Sequence, residues 1–156
     1  MLEFQPVVPI LEHLMRVTIT LSPALIVGTT AAGTRRIINI TGGHFAGKDL
    51  SGEVLPGGAD WQLVRADGVA ILDARYILRT HDGALIYVQN RGVRHGPRDV
   101  LAAIARGEDV DPASYYMRTT PTFEATDPRH SWLNDIIAVG SGIRRADSVA
   151  LDFYRA

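Results

Sequence analysis

From residue 69 to residue 80 the chain alternates, and this alternation constrains the fold more than any other feature. Ala70, Leu72, Ala74, Tyr76 and Leu78 fall on one face, and Val69, Ile71, Asp73, Arg75, Ile77 and Arg79 on the other. A period of two is the mark of a β-strand. His81-Asp82-Gly83 then leads into a second run, 84–88. An Asp-Gly pair between two such runs signals a hairpin. Which of the two faces lines the interior is left open by the pattern: one is wholly apolar, the other mixes apolar residues with Asp73 and Arg75.

Shorter strand signals occur at 17–21, 25–27, 36–41, 54–55, 61–65, 114–118, 122–125, 135–139 and 149–154. Pro56-Gly57-Gly58 and Asp67-Gly68 punctuate them, at the spacing of all-β barrels and sandwiches. One helix is expected: Gly96-Pro97-Arg98-Asp99 opens it, residues 100–105 continue it with Leu101 and Ile104 on one side, and Gly107 stops it. A short turn carries 130–134. The expected fold is all-β and mainly antiparallel, one domain over 1–156. It is a closed or nearly closed barrel of about 8–10 strands with one short helix, because closure removes exposed sheet edges. Residues 1–12, with Pro6 and Pro9 in an apolar stretch, read as an extended arm that could lie on a second copy in a homo-oligomer.

Composition removes several function classes. There is no cysteine, so disulfides, thiolate metal sites and cysteine nucleophiles are excluded. The 16 basic and 17 acidic residues are spread evenly, which leaves no positive field for nucleic acid. All basic residues but Lys48 are arginine, either from codon usage or because some grip an oxyanion by a two-pronged hydrogen bond. Residues 17–34 are uncharged, but Pro23, Gly28 and Gly33 make a membrane helix a poor reading and two strands a better one. With no secretory signal recognisable, a cytoplasmic protein with no membrane partner is expected.

Two motifs fail. Gly42 to Asp49 reads GGHFAGKD, but Asp49 stands where a phosphate loop needs Ser or Thr, and no helix signal follows. The segment reads as a glycine-rich connection between strands. His13, His44, His81, His95 and His130 have no metal-binding spacing, so no metal and no cofactor are expected. The run Arg91, Arg94, His95, Arg98 could bind an anion near the helix start, or be a solvated loop.

The remaining chemistry lies in four segments: Leu55-Pro56-Gly57-Gly58-Ala59-Asp60-Trp61-Gln62, Asp73-Ala74-Arg75-Tyr76, Tyr116 to Glu124, and Trp132-Leu133-Asn134. Gly42-Gly43, Gly47, Leu50, Gly52, Val54 to Trp61, Asp73 to Tyr76, Asp82-Gly83, Tyr115 to Thr119, Pro121, Phe123-Glu124, Trp132 to Asn134 and Gly140 together resemble the uncharacterised protein family 0311, also called domain-of-unknown-function family 3237. The resemblance covers nearly the whole chain. It implies a compact β-barrel and no settled activity.

The residues suggest a small-molecule ligand, carbonyl-containing and apolar or aromatic, and proton transfer of lyase, isomerase or cyclase type without a metal. Asp60 and Glu124 are the candidate acid and base, Glu124 because an apolar barrel mouth favours its neutral form. Arg75 is the candidate stabiliser of enolate charge. Trp61, Asp73, Arg118, Trp132 and Asn134 are candidate substrate contacts. Each has a structural alternative: Asp73–Arg75 as a surface pair, Arg118–Glu124 as a bridge across a bend at Pro121, Asp60 as a cap on the Gly-Gly turn, the tryptophans as core, and Asn134 as a backbone partner. Tyr76, on the apolar face, reads as core. A non-catalytic ligand-binding or structural homo-oligomeric protein is the competing reading.

Overall fold

The computed structural model describes residues 3–156; Met1 and Leu2 of the expected arm lie outside them. Ten strands are present: β1 (Glu12–Leu21), β2 (Leu25–Thr30), β3 (Gly33–Gly47), β4 (Ser51–Val54), β5 (Ala59–Val64), β6 (Ala70–Thr80), β7 (Leu85–His95), β8 (Tyr116–Ala125), β9 (Ala138–Arg144) and β10 (Ser148–Arg155). One helix, α1 (Arg98–Ala105), lies between β7 and β8. All pairings are antiparallel, running β1-β10-β9-β8-β7-β6, then through β4 and β5 to β3, which pairs with β1 and closes the ring. β4 and β5 share one place between β3 and β6. β2 extends the chain beyond β1 along the first half of β3. The result is a closed eight-position barrel with two extra strands and a short helix.

Alternation fixes what the barrel encloses. On β6, Ala70, Leu72, Tyr76 and Leu78 are buried, while Asp73 and Arg75 face outward. On β8 the same rule puts Met117, Thr119, Phe123 and Ala125 inside and Tyr116, Arg118, Thr120 and Glu124 outside. One end of the interior is packed solid around Met15, Phe45, Leu78, Ile86 and Phe153. Helix α1 begins after Pro97 and ends before Gly107, whose φ is +80°. It buries Ile104 against the barrel.

Three expectations are corrected. Residues 42–47 continue β3 rather than connecting strands. Gly43, at φ +141°, lets β1 pass so close that a Cβ there would sit 2.1 Å from the Thr18 carbonyl oxygen. Pro121 does not divide two strands; β8 runs through it. The ladder to β9 stops at Thr119, so beyond that point no β9 partner awaits the missing N–H. Finally, of 135–139 only Ala138 and Val139 are strand. A 3-10 turn occupies Ser131–Asp135, Ile137 is exposed, and β9 starts at Ala138.

Candidate active site

The unfilled end of the barrel holds a chamber of about 50 Å³. Its walls are largely apolar: Ile19, Ile38, Ile40, Leu72 and Leu151 contribute. Strand alternation carries a few polar side chains inward among them, Asp60 and Gln62 from β5, Tyr76 from β6, Asn90 and Arg94 from β7, Thr119 from β8 and Arg144 from β9. Arg94 and Arg144 also line a second cavity of about 350 Å³, lying under α1 and walled by Arg36, Leu101 and Ile104. Arg94 and Arg144 thus line both cavities, the inner chamber and the vestibule under α1.

Asp60 is the one carboxylate in the chamber lining. Its Oδ1 accepts a hydrogen bond from the Asp73 backbone N–H at 2.9 Å, and its Oδ2 accepts from Gln62 Nε2 at 3.2 Å. It does not cap the Gly-Gly turn. Burial raises its pKa above the ordinary carboxylate value, against the opposing effects of these two hydrogen bonds and of Arg94. Burial likewise pushes the Tyr76 phenol well above its usual value, so it remains a donor. Burial, with the fields of Arg144 and Arg36, lowers Arg94 to about 10, so it stays charged at neutral pH.

Buried polar atoms are normally hydrogen-bonded. Here Gln62 Oε1, Tyr76 Oη, Asn90 Oδ1 and Thr119 Oγ1 are buried without partners, and all four residues line the same chamber. Thr119 fits only because β9 presents Gly140 opposite it; a Cβ there would lie 2.1 Å from Thr119 Oγ1. A chamber of apolar walls with converging open hydrogen-bonding groups has the character of a small-molecule site. Among the described residues, no group of three or more His, Cys, Asp or Glu could hold a metal ion, and no helix is long and apolar enough to cross a membrane.

Of the eight residues singled out in the sequence, Asp60 alone lines the chamber. Asp73 lies on the outer wall, within 3.2 Å of Gln89 Nε2, 3.5 Å of Arg75 Nη2 and 3.7 Å of Arg91 Nε. Arg75 is therefore a surface partner of Asp73 and does not reach the interior. Trp61 is 46% exposed on the opposite side of β5 from Asp60. Arg118 lies over the Tyr116 ring at 5.1 Å and makes no bridge to Glu124, which is exposed on the outer face of β8. Trp132 packs, partly buried, against the core. Asn134 clamps Ala125: its Nδ2 donates to the Ala125 carbonyl and its Oδ1 accepts from the Ala125 N–H, both at 2.7 Å. Of the Arg91–Arg98 run, residues 91–95 are strand with Arg94 turned inward from β7, and Arg98 opens α1.

The family model described as "Protein of unknown function (DUF3237)" matches residues 9–156. A UPF0311 protein of Rhodopseudomonas palustris is 41% identical over 144 residues, covering 92% of this chain and 94% of that protein. The crystal structure of a β-barrel-like protein from Acinetobacter baumannii superposes with a TM-score of 0.87 at 48% identity, over 98% of this chain and 99% of that one. The hydroalkoxylation enzyme phnH of Penicillium herquei is 30% identical over 137 residues, 88% of this chain and 76% of that protein. The structure of an enzyme from Penicillium herquei superposes with a TM-score of 0.73 at 26% identity, over 99% of this chain and 98% of that one.

Proposed function

We propose, from the premise that this chain belongs to the DUF3237 family, that its barrel is a proton-transfer enzyme of lyase, isomerase or cyclase type. The substrate is a small, mostly apolar or aromatic carbonyl or hydroxyl compound. The carrying observation is Asp60: one carboxyl group in an apolar chamber, its pKa raised by burial, beside four unpartnered polar atoms. A carboxyl of raised pKa is suited both to giving and to taking a proton near neutral pH. Tyr76, Asn90 and Thr119 can orient a carbonyl or hydroxyl against it. The relative named as a hydroalkoxylation enzyme supports this class. Adding O–H across C=C moves one proton from oxygen and one to carbon with no change of oxidation state.

The test uses a panel of ortho-alkenyl phenols and β-hydroxy carbonyl compounds, followed by NMR for the ring-closed or dehydrated product. The chain is expected to turn over at least one of them. Asp60→Asn is expected to lower that rate about 10²- to 10⁴-fold, the usual worth of general acid–base catalysis, while keeping the fold. Turnover of none, or an undiminished rate in the variant, overturns the reading.

A further inference from the structure

The charge around the arginines shared by chamber and vestibule is unbalanced. Arg94 and Arg144 line both cavities, and Arg36 lines the vestibule beside them. Arg145 lines the vestibule as well; against these guanidinium groups the two cavity linings offer one carboxylate, Asp60, while Asp147, outside both linings, favours the charged form of Arg144. Arg94 is 9% exposed, yet among the described residues it has no ion pair and no side-chain hydrogen bond. The Nε of Arg36 is buried and unpartnered. Arg144 donates from Nη1 to the Ser148 carbonyl at 3.0 Å and to the Arg145 carbonyl, neither of which carries a charge. The arginines weaken one another: Arg36 and Arg144 both disfavour the charged form of Arg94, and Arg36 does the same to Arg144. Buried charge without a partner is costly unless something arrives to neutralise it.

We propose that the ligand of this site is an organic monoanion, an apolar body bearing one phenolate, enolate or carboxylate group, whose anionic head sits among Arg36, Arg94 and Arg144. The proposal rests on the chamber being the reactive site and specifies the charge state of its substrate. An arginine fork matches such oxygens geometrically. The apolar chamber, at about 50 Å³, admits only the reacting edge of the molecule, and the vestibule of about 350 Å³, walled by Val64, Leu101 and Ile104, takes its body. Asp60 lies beyond the arginines and disfavours a second negative charge. Inorganic phosphate offers oxygens to the arginines but has no apolar part for the cavity.

The experiment titrates the full chain with para-nitrophenol across pH and reads the phenolate absorbance band. The bound probe is expected to ionise at least about one pH unit below the free probe, equivalent to about tenfold tighter binding of the anion than of the phenol. Neutral para-nitroanisole is expected to bind at least about tenfold more weakly than the anion. Arg94→Met and, separately, Arg36→Met are expected to remove most of the shift without lowering the melting temperature, and Asp60→Asn, which removes the one opposing carboxylate of the chamber, to preserve or enlarge it. An unshifted ionisation, equal binding of para-nitroanisole, binding of neither probe, or a shift that survives both arginine variants overturns the proposal. Turnover that survives Asp60→Asn, with the shift intact, overturns the proton-transfer role while leaving the anion site standing.

Discussion

The two walls of the barrel are built from the same strands and treat charge in opposite ways. β6 sends Asp73 and Arg75 outward and Tyr76 inward; β7 sends Arg91 outward and Asn90 and Arg94 inward. On the outside, opposite charges find each other: Arg79 meets Glu53, Arg65 meets Asp67, Arg16 meets Asp152 at 2.6 Å, and Arg129 meets Asp82 at 2.7 Å and Asp127 at 2.6 Å. Such exposed pairs contribute little to stability, because water solvates either partner nearly as well. Inside, where an unmatched group costs most, Arg94 stands without a partner and four polar atoms go unmet. Expensive groups left open in a cavity are the pattern expected where ligand binding, rather than folding, completes the hydrogen bonding.

The largest effect should come from breaking that contrast at Arg94. Replacing it with methionine keeps an unbranched side chain of similar length and removes a buried, unpaired charge. We expect Arg94→Met to raise unfolding stability by roughly 1–3 kcal/mol, within the range seen when buried charges give way to apolar packing. It should do so while turnover is lost. Urea titration at neutral pH measures the first and the phenol panel the second. A variant destabilised by a similar amount would mean that Arg94 holds the barrel together, and the two walls would then differ only in exposure.

How far this contrast was legible in the sequence depended on which period-two runs were followed. The hairpin of residues 69–88 and the regular spacing of the shorter strand signals were together enough to foresee a barrel. Asp60 stood out because Pro56-Gly57-Gly58 precedes it. The alternation of Ile86 and Val88 continues to Asn90 and Arg94, but the density of charge from Arg91 onward reads as loop, so Asn90 was missed and Arg94 stood out only as part of an anion-binding run near the helix start. Tyr76 was seen as core, and it is buried; that its hydroxyl is unpartnered is a property of three-dimensional packing. Arg144 had no signal of its own. The apolar run Ile136-Ile137-Ala138-Val139 imitates a strand, while Gly140 and Gly142 imitate breakers. Both glycines are in β9 because Thr119 and Met117 on β8 press against them. The facing of Asp73, Arg75, Arg118 and Glu124 could not be read, because alternation separates two faces without saying which one a closed sheet turns inward.

A smaller effect of definite sign separates Asp60 from the outer carboxylates. Its folded pKa is raised, so the folded state holds its proton more tightly than the unfolded chain does. Its stabilising contribution is full below the unfolded carboxylate pKa of about 4 and is lost as pH rises through the folded value. Asp82 and Asp152, held low by hydrogen bonds and opposite charge, behave in the reverse sense and lose their contribution as pH falls. In Asp60→Asn the new amide can still accept from the Asp73 N–H. A flip of Gln62 brings its unpartnered Oε1 round to accept from the amide's N–H₂. The difference in melting temperature, variant minus parent, should therefore grow more positive from acid to neutral pH. A flat difference would show that burial does not shift Asp60, and a falling one that Arg94 stabilises it as an anion and it belongs with the paired carboxylates outside.

The smallest effects should lie on the outer wall, where the sequence had placed much of the chemistry. Arg75→Gln removes one partner of Asp73, which still has Gln89 and Arg91 beside it. Glu124→Gln alters a side chain that is exposed and has no ion pair among the described residues. Both changes should move stability by no more than about 0.5 kcal/mol. Both should leave the rate on the phenol panel and the ionisation of bound para-nitrophenol as they are in the parent chain. These quiet results are informative because Arg75 and Glu124 carry the same chemistry as Arg94 and Asp60 on neighbouring strands. They differ in the side of the sheet to which an odd or even position directs them. If Glu124→Gln were to abolish turnover, the reactive surface would be the open outer groove around Arg118 and Tyr116, and the unfilled groups inside would need another explanation.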